Sequence, residues 1–166
     1  MDLQLTERLQ PALLDRLQDD SPENQHLEVI DRRYLNLAQL RAAVLRDLSW
    51  LLNASRPPDS DGIGAYPEAE RSVINYGMPS LSGATVSSLN VAELSRTIRA
   101  TIECFEPRIV PGSLVVEAMG EGKKLEGNQL SLRIEARLSA EPVPLELLFR
   151  TDLDLETGQV DLKEMS

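Results

Sequence analysis

The sequence places two carboxylates close together near the end of a helical segment, and such a pair could perform acid–base chemistry. Glu103 and Glu106 are three residues apart in ATIECFEPRI, so both lie on one side of a helix. Glycoside hydrolysis uses two carboxyl groups about 5–9.5 Å apart, one of which must carry a proton. Arg99 and Arg108 flank the pair, and nearby cations lower a carboxylate pKa, the wrong direction for a general acid. A peptidoglycan-cleaving glycosidase is therefore the less favoured interpretation.

The chain has one histidine, His26, and one cysteine, Cys104, and these numbers limit nucleophilic and metal chemistry. A single histidine in a polar stretch, without a G-x-S-x-G sequence, argues against a hydrolase triad. A metal site that needs several His or Cys ligands is excluded by number. A lone cysteine forms no disulfide within the chain, which fits a reducing compartment. Its place near a helix C-terminus, where the dipole disfavours a thiolate, indicates a half-buried structural thiol.

Two glycine-containing stretches could be mistaken for phosphate-binding loops. GIGAYPE and GEGKKLEG lack both the glycine spacing and the strand-to-helix setting that such loops require. They predict turns instead. We therefore expect no cofactor and no bound metal.

The overall composition points away from nucleic acids, sugars and membranes. The net charge of −10 repels phosphate backbones and anionic lipid. Aromatic residues make up 4% of the chain, which leaves few platforms for stacking bases or sugars. The segment MDLQLTERLQ has no apolar signal core, and no apolar run approaches the roughly 20 residues that span a bilayer. We expect a cytoplasmic protein with one domain over residues 1–166 and any flexibility at 1–12 and 163–166.

Two long helices are predicted to position the carboxylates and to supply the helical part of the core. Asn36 is a favourable N-cap, and apolar residues recur at spacings of three and four as far as about Ala54. The buried face predicted for this helix is Leu37, Leu40, Val44, Leu48, Leu51 and Leu52. The other long helix follows Asn90, which is again a cap. Its predicted apolar face is Val91, Leu94, Ile98, Ile102 and Phe105.

Two shorter helices are also predicted. The first covers about residues 6–18, and its predicted apolar stripe is Leu9, Leu13, Leu14 and Leu17. The second opens at Pro67, because proline is well tolerated at the first helical position, and runs through about Val73.

After Gly112 the apolar pattern changes from the helical period to a period of two. The alternation is strictest in NQLSLRIEARLSAE, where one face is leucine, isoleucine and alanine and the other is serine, arginine and glutamate. Strands are also predicted in SLVVEAMG and on both sides of a turn at Thr157–Gly158. One apolar and one polar face indicate an antiparallel sheet covered on one side. The predicted fold class is α+β, with N-terminal helices packed on one face of a C-terminal antiparallel sheet.

Four stretches occur in an order that resembles a known family. They are LRAAVLRDLSWLLNA (40–54), RSVINYGMPSLSG (71–83), ATIECFEPRI (100–109) and TDLDLETGQV (151–160). Together they resemble the TssE family, baseplate subunits of the bacterial type VI secretion system. This family belongs with the wedge proteins of contractile phage tails that were historically labelled tail lysozyme-like. The resemblance runs from about Leu13 to Val160.

The resemblance implies a structural role without enzymatic activity. Members of the family sit in the baseplate wedge beside TssF, TssG and TssK, at a baseplate docked to the inner membrane. They connect the wedge to a contractile sheath built from TssB and TssC, and they prime its assembly by joining the strand exchange between sheath subunits. Neither nucleic acid nor insertion into the membrane is implied.

Two motifs are implied to bind partners. They are the family's Glu–Pro–Arg and Asn–Tyr–Gly, which fall on Glu106, Pro107, Arg108, Asn75, Tyr76 and Gly77. In one interpretation, Pro107 ends the helix so that Glu106 and Arg108 project and fix the register of a partner segment through charge-assisted hydrogen bonds. In the other, these two side chains form an internal ion pair that pins the helix to the sheet. Which sheet edge receives the sheath stays open, as does the alternative of a generic adaptor domain.

Overall fold

The computed structural model describes residues 11–17, 36–58, 62–80, 90–119, 129–139 and 144–165. His26 and the beginning of the helix predicted over 6–18 lie outside the described residues, and so does the end of the stretch 71–83 after Ser80.

Within the described ranges, four α-helices precede the sheet. They are α1 (Leu13–Leu17), α2 (Leu37–Asn53), α3 (Pro67–Glu70) and α4 (Val91–Phe105). Single 3-10 turns at Ile63–Ala65 and Val73–Asn75 lie on either side of α3. Of the helices that the structure describes, none is both long enough and apolar enough to cross a membrane.

The long helix α2 forms because its sequence supplies both a cap and a continuous apolar face. Asn36 Oδ1 accepts from the N–H of Gln39 (2.8 Å), and the N–H of Asn36 donates to Gln39 Oε1 (2.9 Å), which completes a capping box. The buried residues of α2 are Leu40, Ala43, Val44, Leu48, Leu51 and Leu52. The prediction was wrong for Leu37, because the whole first turn over 36–39 is exposed and burial begins at Leu40.

The other long helix, α4, ends at the tripeptide Glu–Pro–Arg. Asn90 Oδ1 accepts from the N–H of Glu93 (3.2 Å) at its start, as a capping residue does. The helix buries Leu94, Ile98, Thr101 and Ile102 against the sheet. The predicted apolar face is thus confirmed at its centre, with Val91 and Phe105 partly buried at the two ends.

In the part of the chain that the structure describes, the sheet is a four-stranded antiparallel meander. Its strands are β1 (Val115–Ala118), β2 (Gln129–Leu138), β3 (Leu145–Asp154) and β4 (Val160–Glu164), adjacent in that order. Asp154 closes the β3–β4 turn, since its Oδ1 accepts from the N–H groups of Glu156 (2.8 Å) and Thr157 (3.1 Å). Gly158 adopts φ +74° there, so the predicted turn at Thr157–Gly158 is confirmed.

The helices cover one face of this sheet, as predicted, and the fold class is α+β. Alternate residues of β2 and β3 point into the core, with Phe149 fully buried near its centre. The opposite face is polar and carries exposed ion pairs, among them Arg133–Glu117 (3.0 Å). Exposed pairs of this kind contribute little to stability, so the apolar face holds the layers together.

The short helix α1 packs in the opposite way from the prediction. The leucine stripe was expected to be buried, but Leu13 and Leu17 are 71% and 74% exposed, and Leu14 is also exposed. Asp15 is turned inward and accepts a hydrogen bond from Arg46 Nη1 of α2 (2.5 Å). The prediction was wrong because an ion pair, and not burial of the leucines, orients this short helix.

Helix α2 also lies along the outer edge of β4. The side-chain amide of Asn53 donates to the carbonyl of Val160 (2.9 Å) and accepts from the N–H of Val160 (2.9 Å). Toward the other end of the strand, Arg41 binds the carboxylate of Glu164 (2.7 Å) and donates to the carbonyl of Glu146 (3.4 Å). We call these contacts the β4 clamp.

Candidate functional site

The tripeptide Glu106–Pro107–Arg108 forms the turn that leads from α4 into the sheet. The N–H of Glu106 still bonds to the carbonyl of Ile102 (2.9 Å), so Glu106 is the C-cap of the helix. Pro107 follows and cannot continue the helix, because proline has no N–H to donate. The N–H of Ile109 then returns to the carbonyl of Glu106 (3.2 Å), which closes the turn.

The side chains of Glu106 and Arg108 face each other inside the chain. Arg108 Nε donates to Glu106 Oε1 (2.6 Å), and Arg108 Nη2 donates to Glu106 Oε2 (2.5 Å). This is the two-pronged geometry in which a guanidinium binds a carboxylate most strongly. Glu106 is only 4% exposed. Of the two interpretations left open by the sequence, the structure therefore shows the internal ion pair.

The pair belongs to a longer chain of charges that connects three helices. Arg108 Nη2 also donates to Asp47 Oδ2 on α2 (2.6 Å). Asp47 Oδ1 accepts from Nε (2.9 Å) and Nη2 (2.7 Å) of Arg46, whose Nη1 reaches Asp15 on α1. We call Asp15, Arg46, Asp47, Arg108 and Glu106 the ion-pair chain. It alternates in sign along its length, so each half-buried charge has an opposite neighbour.

The environment keeps both guanidinium groups charged. Burial lowers the pKa of Arg108, but the hydrogen bonds and negative charges of Glu106 and Asp47 outweigh it, and its pKa is raised. The hydrogen bond to Asp15 is the largest cause of the raised pKa of Arg46. Arg46 also lies over the ring of Trp50, 4.9 Å from its centre, which adds a cation–π contact.

Two aromatic rings stand beside the ion-pair chain. Tyr76 and Phe105 pack edge to face, with ring centres 5.3 Å apart and an interplanar angle of 72°. They line an open cavity of about 420 Å³ that also includes Pro107, which is exposed. The full lining is Ala12, Asp47, Leu51, Tyr76, Phe105, Glu106, Pro107 and Arg108. A concave surface lined by both aromatic and charged side chains is suited to binding a protein side chain.

The ionisation of Tyr76 should make stability depend on pH in the alkaline range. Burial raises the pKa of this phenol, and the charges of Asp47 and Glu106 raise it further. The folded state therefore holds the proton more tightly than the unfolded chain. Its contribution to stability is complete below the ordinary pKa of about 10 and is lost as the pH rises through the raised value.

Urea unfolding of Tyr76→Phe between pH 8 and 11 tests this expectation. The variant should lose less stability over that range than the unaltered chain does. Tyr66→Phe is the matched control, because Tyr66 is exposed. Equal losses for Tyr76→Phe and the unaltered chain would contradict the expectation.

The other family motif is built into the fold on either side of Tyr76. Asn75 is buried, and its Nδ2 donates to the carbonyl of Glu70 (2.9 Å). Gly77 is also buried and has φ +112°. It lies against Ala54, whose carbonyl accepts from the N–H of Met78 (2.7 Å). Asn75 and Gly77 thus hold the loop that presents Tyr76.

The structure brings most of the predicted site residues together. Tyr76, Glu106, Pro107 and Arg108 line one cavity, while Asn75 and Gly77 line a neighbouring groove beside α4. Sequence reasoning missed the remaining members of the ion-pair chain, Asp15, Arg46 and Asp47. A signal was present, since Arg46 and Asp47 lie inside the quoted stretch 40–54. Asp47 is also adjacent to buried Leu48, where a carboxylate needs a partner.

The two carboxylates that suggested acid–base chemistry are engaged separately. Glu103 is exposed and accepts from Arg99 Nε (3.0 Å), one helical turn before it. Glu106 has both oxygens bound by Arg108. Among the described residues there is also no group of three or more His, Cys, Asp or Glu placed to hold a metal ion.

Comparison with known proteins identifies the family. Searches of curated proteins and of solved structures returned no significant match. The family model described as baseplate wedge protein gp25 matches residues 38–143. This range contains α2 except its first residue, all of α4, both motifs of the site and the first two strands. The family is that of TssE, which confirms the resemblance. The chain therefore belongs to the baseplate wedge protein gp25 family.

Proposed function

We propose that this chain is a structural, non-enzymatic subunit of a type VI secretion baseplate that connects the wedge to the contractile sheath. It primes sheath assembly by accepting a partner strand at the edge of its sheet. The observation that carries the proposal is the family match over residues 38–143, which includes the whole Glu106–Pro107–Arg108 turn. Under this proposal the wedge partners are TssF, TssG and TssK, the sheath partners are TssB and TssC, and assembly takes place in the cytoplasm.

The geometry of the site suggests which of the six motif residues contact the wedge and which hold the others in position. Pro107 is exposed, and Tyr76 and Arg108 are partly exposed around the same cavity, so these three would contact the wedge. The buried residues Glu106, Asn75 and Gly77 would position them. Because the ion-pair chain ties the turn to α1 and α2, this surface is formed before a partner arrives, which reduces the entropy cost of binding.

The contacts of Glu106 also support the absence of glycosidase activity. A general acid must present a protonated carboxyl oxygen to the leaving group. Both oxygens of Glu106 are occupied by the guanidinium of Arg108, at 2.6 and 2.5 Å, and the carboxylate is buried. Glu103, the other candidate, is paired with Arg99 on the surface.

A charge placed on Pro107 tests the docking role, because this exposed side chain forms none of the bonds of the ion-pair chain. Pro107→Glu should reduce incorporation into the wedge and the number of fluorescent sheaths per cell roughly tenfold, because the added carboxylate is not matched by a partner. Pro111→Glu is the matched control. Pro111 is exposed four residues further on, in the turn closed by the bond from the N–H of Ser113 to the carbonyl of Val110 (3.0 Å), and it lies outside the cavity lining.

Both variants should melt at the same temperature as the unaltered chain, so a loss of assembly would not reflect unfolding. Normal sheath numbers with Pro107→Glu would remove the docking role. Failure of the unaltered chain to restore sheaths in a deletion strain would overturn the proposed function itself. Turnover of purified peptidoglycan that is lost in Glu106→Gln would establish the glycosidase instead.

A further inference from the structure

The sheet has two outer strands, and the hydrogen-bond pattern fixes which backbone groups each one offers. In an antiparallel pair, alternate residues exchange bonds with the neighbouring strand and the residues between them point their N–H and C=O the other way. The N–H of Met119 donates to the carbonyl of Ser131 (2.8 Å), and Glu117 is opposite Arg133. It follows that Val116 and Ala118 direct their backbone groups away from β2.

Side chains of α2 contact the outer edge of β4 at both of its ends. The N–H of Asp154 donates to the carbonyl of Gln159 (2.9 Å), so the groups of Val160, Leu162 and Glu164 point outward. Both outward groups of Val160 are already bonded by the side chain of Asn53, and Arg41 binds the side-chain carboxylate of Glu164. Between these two contacts, the outward groups of Leu162 are bonded by no described residue. An added strand would have to displace the β4 clamp.

The corresponding groups of β1 are open. Among the described residues, none forms a hydrogen bond with the outward N–H or C=O of Val116 or Ala118. A short strand with such groups is a template for an extended segment of another chain.

The exposed side chains also differ between the two edges, and they too favour strand addition at β1. Val115 and Met119, on the polar face of the sheet, are 39% and 37% exposed. The matching face of β4 carries Asp161 and Lys163, which are ion-paired at 2.6 Å. Charged side chains discourage strand addition, whereas exposed apolar side chains favour it.

The family tripeptide lies at the same edge of the sheet as β1. The carbonyl of Arg108 accepts from the N–H of Ser139 (2.8 Å), and the N–H of Val110 donates to the carbonyl of Arg137 (2.8 Å). Arg108 and Val110 therefore run beside β2 just as β1 does, separated from it by the turn at Gly112.

We infer that the edge of β1, and not that of β4, receives the partner strand, and that the incoming segment carries an apolar–basic–apolar pattern at alternate positions. This inference rests on the proposed function. The two apolar side chains would cover Val115 and Met119. The basic residue would lie beside Glu117, whose carboxylate is half exposed and retains acceptor capacity after bonding to Arg133.

A matched pair of proline substitutions tests the choice of edge. Ala118→Pro removes an outward N–H while leaving the bonds between β1 and β2, because proline is tolerated where the N–H faces away from the ladder. Glu164→Pro removes the equivalent N–H from the last residue of β4, and Glu164→Ala, which loses the same carboxylate but keeps the N–H, shows the effect of losing the pair with Arg41 alone. With purified TssB–TssC sheath subunits as the probe, Ala118→Pro should weaken binding about tenfold. Glu164→Pro should bind as the unaltered chain does.

Amide hydrogen exchange on the unaltered chain gives a readout that does not depend on the variants. Sheath subunits should slow exchange at Val116 and Ala118 and leave Leu162 unchanged. Binding that protects Leu162 instead would overturn the inference and leave the proposed function intact. If exchange at β1 slowed as the concentration of the isolated chain rose, a second copy of this chain would be bound at that edge. This result would also overturn the inference. If the unaltered chain binds no sheath subunits, the proposed function fails and the inference fails with it.

Discussion

Replacing Arg108 with alanine is expected to lower the free energy of unfolding by about 3 kcal/mol. The substitution leaves the buried carboxylate of Glu106 without its two-pronged partner and removes one of the bonds to Asp47. A buried charge that has lost its partner retains its full desolvation cost. Removing one member of the pair is therefore more destabilising than replacing both with apolar side chains. Urea unfolding at neutral pH would measure the change.

Arg99→Ala is the natural control, because Arg99 forms an exposed pair with Glu103 at a similar distance. It should cost about 0.5 kcal/mol or less. The loss of stability for Arg108→Lys should be intermediate, because lysine keeps the charge but cannot donate to both oxygens of Glu106 in the two-pronged geometry. If Arg108→Ala lowered the free energy of unfolding by less than about 1 kcal/mol, water would be solvating the Glu106 carboxylate in place of Arg108. The ion-pair chain would then not hold the helices together.

Gly77→Ala is expected to be comparably destabilising, by about 3 kcal/mol, because a Cβ has no room there and the backbone conformation would be strained. A Cβ at this position would lie 2.4 Å from the carbonyl oxygen of Ala54 and 2.7 Å from its carbonyl carbon. Both are backbone atoms, and that oxygen is held by the N–H of Met78 (2.7 Å), so neither can move aside easily. The φ of +112° adds strain for any residue with a side chain.

Gly62→Ala separates the two effects. Gly62 also has a positive φ, +73°, but a Cβ there would meet nothing within 4 Å. It should therefore cost only the conformational strain, about 1 kcal/mol. Thermal or urea unfolding of the two variants would give the difference, and equal losses would show that the loop at Gly77 relaxes away from Ala54.

The parts of the fold that the sequence predicted well are those in which local pattern and burial agree. In α2, caps and apolar spacing specify both the helix and its buried face, apart from the first turn at Leu37. In β2, alternation alone assigns each side chain to a face. The leucines of α1 show the limit, because an apolar stripe in a short helix does not say which surface is available to bury it.

The candidate site was only partly predictable, because its key contact joins distant parts of the chain. Arg108 and Asp47 are 61 residues apart in sequence, and nothing local to either one specifies the other. The pairing of Glu106 with Arg108 is close in sequence, yet a turn around Pro107 could equally have sent both side chains outward. The bond from Arg108 Nη2 to Asp47 Oδ2 (2.6 Å) favours the inward arrangement.

The β4 clamp also bears on the order in which the chain folds. Each strand of the sheet pairs with its neighbour along the chain, so β2, β3 and β4 can assemble through comparatively local contacts. Asn53 and Val160, by contrast, are 107 residues apart, and Arg41 and Glu164 are 123 apart. Contacts between residues so far apart in sequence carry the entropy cost of closing a long loop, and their hydrogen bonds stabilise the fold only after the loop has closed. We therefore expect the meander to form first and α2 to dock on it afterwards, which makes the outermost strand the last part of the sheet to be secured.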